Sequence, residues 1–274
     1  MIQAAGILLT GAAAGAFGTL LGLGGGVFVV PVLVLAFRVP MHAAVGASLV
    51  AIVATSSAGA SKNVALGLAN MRLGLSLETM TVLGALCGGL LAPHLGARLL
   101  IALFAALLLA VSAMLWRSGP AQAEEGGSPL SGPGLLGGTY QDPASGKDVS
   151  YSVERLPAVL AASYGAGVVS ALLGVGGGLV KVPALRLLSK VPMKAATATS
   201  NFMIGVTAAT SAVLYLGRGD VPMPVVGPVV LGVLLGARAG LALSRALSDR
   251  ATARIFAFVT LAMAAQMVRR ALAG

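Results

Sequence analysis

Two glycine-rich stretches hold the residues best suited to bind an anion through main-chain groups. They read Gly22-Leu-Gly-Gly-Gly26 and Gly174-Val-Gly-Gly-Gly178, and each precedes a short apolar run. Adjacent glycines destabilise a helix by about 1 kcal/mol each relative to alanine, so each stretch predicts a break in the backbone. The N–H groups freed where the next helix starts favour a negative charge. Close helix packing through small residues is the alternative interpretation, and both can hold together.

Lys181 adds a positive charge just after the second glycine-rich stretch, where the first half of the chain has Val29. A lysine inside a membrane segment is costly and is seldom found without a partner or a ligand. Because the apolar run is short, the side chain could instead extend to the membrane surface. The difference between the halves would put one cation at their pseudo-symmetry axis, which favours a functional role.

A cluster of polar side chains begins the next apolar run, with Thr197, Thr199, Ser200 and Asn201 in five residues. Serine and threonine in membrane helices commonly bond to carbonyls of their own helix. Four polar side chains in five residues exceed that need, so we expect hydrogen-bond donors that face a polar solute. The first half keeps only Ser48 at the equivalent place.

The composition places these residues in a membrane. Of the 274 residues, 57% are hydrophobic and 9% are charged, and the mean hydropathy is +0.96. These values predict an integral membrane protein and exclude a soluble enzyme and a disordered chain. The net charge of +10 comes from basic residues scattered singly between apolar runs, so no nucleic-acid partner is predicted. The single cysteine, Cys87, excludes a disulfide framework.

The chain repeats itself at an offset of 152 residues, which separates Gly22 from Gly174. The same offset relates Pro31 to Pro183 and continues without a gap as far as Phe104 and Phe256. Two homologous membrane segments are therefore predicted, at 1–116 and 156–274, joined by a polar linker at 117–155.

Each segment contains five apolar runs, of which four or five are predicted to cross the membrane, so the predicted fold is an all-α polytopic membrane protein. The runs that begin at Val27 and Leu179 are short, and we interpret them as glycine-broken half-helices or as crossings that include the glycines. Five crossings per segment give inverted repeats, and four give parallel repeats. We favour inverted repeats, with the linker on the cytoplasmic side because of nearby basic residues such as Arg72 and Lys190.

The linker contains a predicted hairpin. Residues 139–142 and 148–153 are strand-like and flank a turn at Pro143–Gly146. An isolated hairpin is marginal in water, so it should pack on the membrane part or order only when a partner binds.

The titratable residues of the apolar runs are poorly placed for catalysis. The two histidines, His42 and His94, fall at span boundaries, and Glu78 and Asp220, the candidate proton carriers of the membrane region, also lie near span ends. The sequence therefore predicts no enzymatic activity, no metal site and no cofactor.

The motifs described above resemble the TauE/SafE sulfite exporter family. The paired Gly-x-Gly-Gly-Gly motifs, each followed by Val-Pro or Val-Val-Pro, and the segment Val191–Phe202 carry the resemblance, which covers nearly the whole chain. It implies a substrate site lined by residues of both halves, which Lys181 would join: Gly24, Gly25, Gly26, Ser48, Gly176, Gly177, Gly178, Thr199, Ser200 and Asn201. The family usually has Thr-Ser where this sequence has Ala47-Ser48, so one hydroxyl is missing from the first half.

The resemblance implies secondary export of sulfite or an organosulfonate across the bacterial inner membrane, driven by an ion gradient. The physical requirements agree, because an oxyanion that leaves water needs N–H and O–H donors and a cation. The alternatives are a passive anion channel, a transporter of another solute, or an accessory subunit that binds a partner through the linker. The small-residue helix faces also allow a homodimer.

Overall fold

A computed structural model describes residues 2–21, 25–117, 136–141, 148–243 and 249–273, which are mostly helical. The first segment contains α1 (Ile2–Leu21), α2 (Gly26–Leu35), α3 (Met41–Ala65), α4 (Met71–Leu91) and α5 (Ala97–Arg117), with a single 3-10 turn at Ala92–His94. Two strands follow, β1 (Gly138–Gln141) and β2 (Asp148–Tyr151). The second segment contains α6 (Leu156–Leu173), α7 (Gly178–Ser189), α8 (Met193–Gly217), α9 (Met223–Leu243) and α10 (Asp249–Ala273).

Several helices are suited to cross a bilayer. Five segments of the described chain are long and apolar enough: Met71–His94, Ala97–Met114, Leu156–Leu173, Met193–Gly217 and Met223–Gly240. The short helices α2 and α7 have 10 and 12 residues. At 1.5 Å per residue they reach about 15 and 18 Å, less than the ~30 Å hydrocarbon layer. The chain is thus a helical multi-pass membrane protein, as predicted.

The helix bounds follow the 152-residue offset. Helix α3 begins at Met41 and α8 at Met193, while α4 begins at Met71 and α9 at Met223. The packing follows the same offset: α1 lies on α9, and their offset counterparts, α6 and α4, also lie on each other. Helix α4 of the first segment thus packs with α6, α7 and α8 of the second, and α9 packs with α1 and α3, so the two segments interleave.

Glycines make these interleaved contacts possible. A Cβ added to Gly167 on α6 would overlap the carbonyl oxygen of Thr81 on α4, and one added to Gly15 on α1 would overlap that of Val233 on α9. Both pairs are related by the 152-residue offset. The small-residue spacing therefore serves backbone-to-backbone packing between the two segments.

The ends of neighbouring helices fix their direction. At the C-terminal end of α7, Ser189 Oγ donates to the Glu154 carbonyl, which lies just before α6, at 2.6 Å. Near the end of α2, Phe37 lies 3.2 Å from the position of a Cβ on Gly6 in α1. The end of each short helix therefore lies next to the start of the preceding long helix.

The linker hairpin packs on the membrane helices. Strands β1 and β2 are antiparallel, with Thr139 opposite Ser150, and the rings of Tyr140 and Tyr151 are buried against α4 and the α6–α8 group. Asn70 Nδ2 donates to Tyr151 Oη at 3.2 Å, while Asn70 Oδ1 caps α4 by accepting from Leu73 N. Burial raises the pKa of Tyr151, so the phenol stays neutral at physiological pH.

Candidate functional site

The second glycine-rich stretch lies between α3 and α8. Ser48 Oγ on α3 donates to the Gly174 carbonyl at 2.7 Å, across the boundary between the two segments. A Cβ added to Gly176 would lie 2.9 Å from Ile204 on α8 and 3.2 Å from Ile52 on α3. The main chain of this stretch therefore contacts both repeats, and only a residue without a side chain fits there.

The predicted backbone break is present in this stretch. Gly174, Gly176 and Gly177 have φ values of 68°, 76° and 75°, in the left-handed region that glycine tolerates. Gly177 is the N-cap of α7, and its carbonyl accepts from the amides of Val180 and Lys181 at 3.1 and 3.0 Å. The break thus separates α6 from α7 and sets the start of a new helix beside α8.

The first glycine-rich stretch is described only in part, because Gly24 lies outside the described residues. Gly25 and Gly26 are buried at the start of α2. A Cβ on Gly26 would lie 2.8 Å from Ser48 Oγ and would overlap the Gly174 carbonyl. The start of α2 and the second glycine-rich stretch therefore meet next to Ser48.

Two buried hydroxyls flank the second stretch. Ser170 Oγ on α6 and Ser200 Oγ on α8 have no hydrogen-bond partner in the part of the chain that the structure describes. Cβ atoms added to Gly177 and Gly178 would lie 3.5 Å from the Cβ of Ser170 and 3.6 Å from Ser200 Oγ. A buried donor without an acceptor costs about 1–3 kcal/mol, so these hydroxyls are suited to a polar ligand.

Lys181 lies in the first turn of α7 and is buried, with 2% of its surface exposed. Its Nζ donates to Glu78 Oε2 on α4 at 3.2 Å and to Thr207 Oγ1 on α8 at 2.8 Å. Thr207 Oγ1 lies 2.6 Å from Glu78 Oε1 and 3.1 Å from the Met203 carbonyl, so its hydroxyl hydrogen has two possible acceptors. These three side chains form a closed polar cluster, which we call the Lys181 cluster.

The pseudo-symmetric position in the other group of helices is apolar. The offset of 152 residues relates Lys181 to Val29 and Glu78 to Val230, and Thr207 to Thr55. Thr55 Oγ1 donates to carbonyls of its own helix. At the offset positions, all within the described residues, the Lys181–Glu78 pair therefore has no polar counterpart.

The structure separates the predicted polar residues of α8. Ser200 faces the glycine-rich stretch, whereas Thr199 Oγ1 accepts from Asn70 N at 3.0 Å at the start of α4. Asn201 is half-buried on the same helix. Successive residues of a helix point about 100° apart, so three neighbours cannot all face one site.

Sequence reasoning underrated Glu78, which is buried with 5% of its surface exposed, although it was expected near a span end. It also missed Thr207 and Ser170 as partners of the site. The available signal was that Glu78 is the one acidic residue in the apolar runs of the first segment. An unpaired carboxylate in a membrane helix requires a cation, and Lys181 was the candidate.

An apolar cavity of about 360 Å³ lies elsewhere, between α2 and α10. Its lining includes Phe258, Met263 and one amide side chain, that of Gln266. It offers few donors to an anion, so the Lys181 cluster and the neighbouring serines are the better candidate site.

Comparison with known proteins agrees with the membrane fold. The family model described as "Sulfite exporter TauE/SafE" matches residues 7–267. The chain is also 26% identical over 269 residues to the "Probable membrane transporter protein YunE" of Bacillus subtilis (strain 168), and the match covers 96% of both chains. No solved structure matches.

Proposed function

Because the chain belongs to the sulfite exporter TauE/SafE family and is therefore a membrane transporter rather than an enzyme, we propose that it exports a small sulfur-containing anion. The substrate is sulfite or an organosulfonate, the membrane is the bacterial inner membrane, and an ion gradient drives alternating access. The observation that carries the proposal is the buried polar site. It comprises Lys181 and two buried hydroxyls that have no acceptor among the described residues, beside a break in the main chain.

The chemistry of this site fits a sulfur oxyanion. An anion that enters a bilayer must exchange its water for other donors, because an unpaired buried charge costs several kcal/mol. Ser170 and Ser200 offer O–H groups, and Lys181 offers a positive charge. A Cβ added to Gly176 or Gly178 would lie 2.9 or 2.6 Å from Ile204, so only main-chain groups fit at these two positions. Gly26 and Ser48, two residues of the predicted lining, meet at the Gly174 carbonyl, at the start of the same glycine-rich stretch.

Transport by the purified protein tests the proposal. We expect saturable sulfite flux into or out of proteoliposomes that contain only this chain, and a response of that flux to an imposed pH gradient or membrane potential. Sulfate, chloride and methanesulfonate serve as competitors that rank specificity. Flux that neither saturates nor responds to a gradient would indicate a passive anion channel. Folded protein that moves none of these anions would refute the sulfur-anion proposal.

We also propose ten crossings with inverted repeats. Three contacts between helix ends support this topology. The end of α7 contacts the start of α6, and the end of α2 contacts the start of α1. His42 at the start of α3 bonds to the Ala92 carbonyl just after α4. If each short helix completes a return crossing, every segment crosses five times. An odd number of crossings inverts the second repeat and puts the linker opposite both termini.

Site-directed labelling tests this topology. In a Cys87→Ala background, cysteine replaces the exposed Ser150 of the hairpin or the exposed Leu272 of α10. Basic residues such as Arg72, Lys190 and Lys194 favour a cytoplasmic linker. We therefore expect a membrane-impermeant maleimide to label Leu272→Cys in intact cells, and Ser150→Cys only after permeabilisation. Labelling of both variants in intact cells, or of neither, would require an even number of crossings in each segment.

A further inference from the structure

Glu78 uses both carboxylate oxygens inside the Lys181 cluster. Oε2 accepts from Lys181 Nζ at 3.2 Å and Oε1 accepts from Thr207 Oγ1 at 2.6 Å. The side chains of Lys181 and Glu78 are only 1% and 6% exposed. The positive charge that the proposed anion requires is therefore already neutralised by a carboxylate.

Charge balance limits what the cluster can accept. It contains one cation and one anion, and the pseudo-symmetric position holds Val29 and Val230. An arriving oxyanion adds negative charge to a buried site whose only cation is already paired, at a cost of several kcal/mol. Uptake of one proton by the carboxylate removes a negative charge at the same place and releases Lys181 for the incoming anion.

The other charged and titratable groups on the helices around Glu78 lie outside the Lys181 cluster. They are Arg72 and Cys87 on α4, Arg155 and Tyr164 at the start of or on α6, Arg186 and Lys190 on or just after α7, and Lys194, Tyr215 and Arg218 on or just after α8. All are half-buried or exposed except Tyr215, whose buried hydroxyl donates to the Ala171 carbonyl at 3.0 Å. Lys181 is the residue that forms an ion pair with Glu78 in the described part of the chain. Proton uptake at Glu78 is therefore linked to the state of Lys181.

The neighbouring hydroxyl can satisfy both protonation states without a backbone movement. With Glu78 ionised, Thr207 donates its hydrogen to Oε1. With Glu78 neutral, the carboxylic O–H can donate to Thr207 Oγ1, whose own hydrogen turns to the Met203 carbonyl 3.1 Å away. Thr207 Oγ1 still accepts from Lys181 Nζ. Rotation of the Thr207 hydroxyl alone therefore keeps a hydrogen bond between Thr207 and Glu78 in both protonation states.

We infer that Glu78 is the proton-coupling residue of the transporter: its carboxylate binds one proton from water when the anion binds at Lys181, and it loses that proton when the anion leaves. This inference rests on the proposed anion transport. The proton and the anion then cross together. For a dianion such as sulfite the net charge carried outward is minus one, so the inside-negative membrane potential drives export while an outside-acid pH gradient opposes it.

The sign of the pH dependence follows from this coupling. Because the bound state holds one more proton than the empty state, a lower pH favours binding and a higher pH opposes it. One linked proton corresponds to about a tenfold change in the dissociation constant for each pH unit, over the range in which free Glu78 is ionised.

The test measures sulfite binding to the purified wild-type protein and to Glu78→Gln between neutral and alkaline pH. Because both proteins meet the same sulfite solution, the protonation of sulfite itself cancels in the ratio of their dissociation constants. We expect that ratio, wild type over variant, to rise about tenfold per pH unit. Asp220→Asn is the matched control, since Asp220 pairs with Arg218 at the end of α8. The sulfite dissociation constant of this variant should change with pH as that of the wild type does.

A second measurement needs no variant. At alkaline pH, where free sulfite is the dianion, wild-type protein mixed with sulfite in unbuffered solution should consume about one proton for each anion bound. Binding without proton uptake, or the same pH dependence in wild type and Glu78→Gln, would overturn the coupling role and leave the transport proposal standing. Folded wild-type protein that binds no sulfite at any pH would overturn both.

Discussion

Replacement of Lys181 by valine is expected to abolish sulfite binding and to lower the free energy of unfolding by about 3–5 kcal/mol, the usual result of removing one member of a buried ion pair. The variant removes the cation of the site and leaves the Glu78 carboxylate buried without its partner. Binding to the detergent-solubilised protein and denaturant or thermal unfolding measure the two effects separately.

The pseudo-symmetry of the chain supplies the control for this prediction. The double variant Glu78→Val with Lys181→Val copies the apolar positions of Val29 and Val230. We expect it to recover most of the lost stability, because apolar residues of similar shape often replace a buried ion pair at little cost. Sulfite binding should stay absent. A double variant that binds sulfite as the wild type does would remove the Lys181 cluster from the substrate site.

Replacement of Gly167 by alanine is the second change with a large expected effect. The added methyl group would overlap the Thr81 carbonyl, so α6 and α4 would have to separate along their whole contact. Overpacking of a rigid interior costs about 1–3 kcal/mol and sometimes more. We expect the upper part of that range, because the obstacle is backbone and cannot rotate away. Unfolding of the purified protein and its abundance in the membrane measure the effect.

Gly165 is a matched control on the same helix, two residues earlier. A Cβ added there meets nothing within 4 Å. Gly165→Ala should therefore leave the fold intact and raise helix stability by up to about 1 kcal/mol, the difference in propensity between glycine and alanine. Equal stability of the Gly165→Ala and Gly167→Ala proteins would show that α4 and α6 do not approach as closely as described. The offset predicts a similar loss for Gly15→Ala, whose methyl group would meet the Val233 carbonyl.

The family match confirms the sequence-based identification of the chain as a TauE/SafE member. The paired Gly-x-Gly-Gly-Gly motifs and the segment Val191–Phe202 carried that identification, whereas the composition indicated the membrane and the offset of 152 residues indicated the repeat. Hydrophobic content indicates directly whether a chain lies in a membrane or in water, and a repeat is a property of residue order alone. The break at Gly174–Gly178 was predictable for the same reason, since adjacent glycines disfavour a helix regardless of their surroundings.

The interleaving of the segments could not be predicted from residue order. Small-residue spacing in the runs that form α1, α4 and α9 indicated close packing, but every such face can accept several partners. Only the assembled structure pairs Gly167 with Thr81 and Gly15 with Val233. The choice depends on which surfaces fit over their full length, and that is a property of pairs of helices.

The sequence by itself determined the solvent, the repeat, the glycine breaks and the presence of one cation at Lys181, because each depends on local residue types. The tertiary structure alone decided that Lys181 meets Glu78, a residue 103 positions away, and that Ser200 faces the glycines while its neighbour Thr199 bonds to Asn70. A contact between distant residues depends on how helices are placed, and the direction of a side chain depends on helix rotation. Both are set by the way α4 packs against the helices of the second segment.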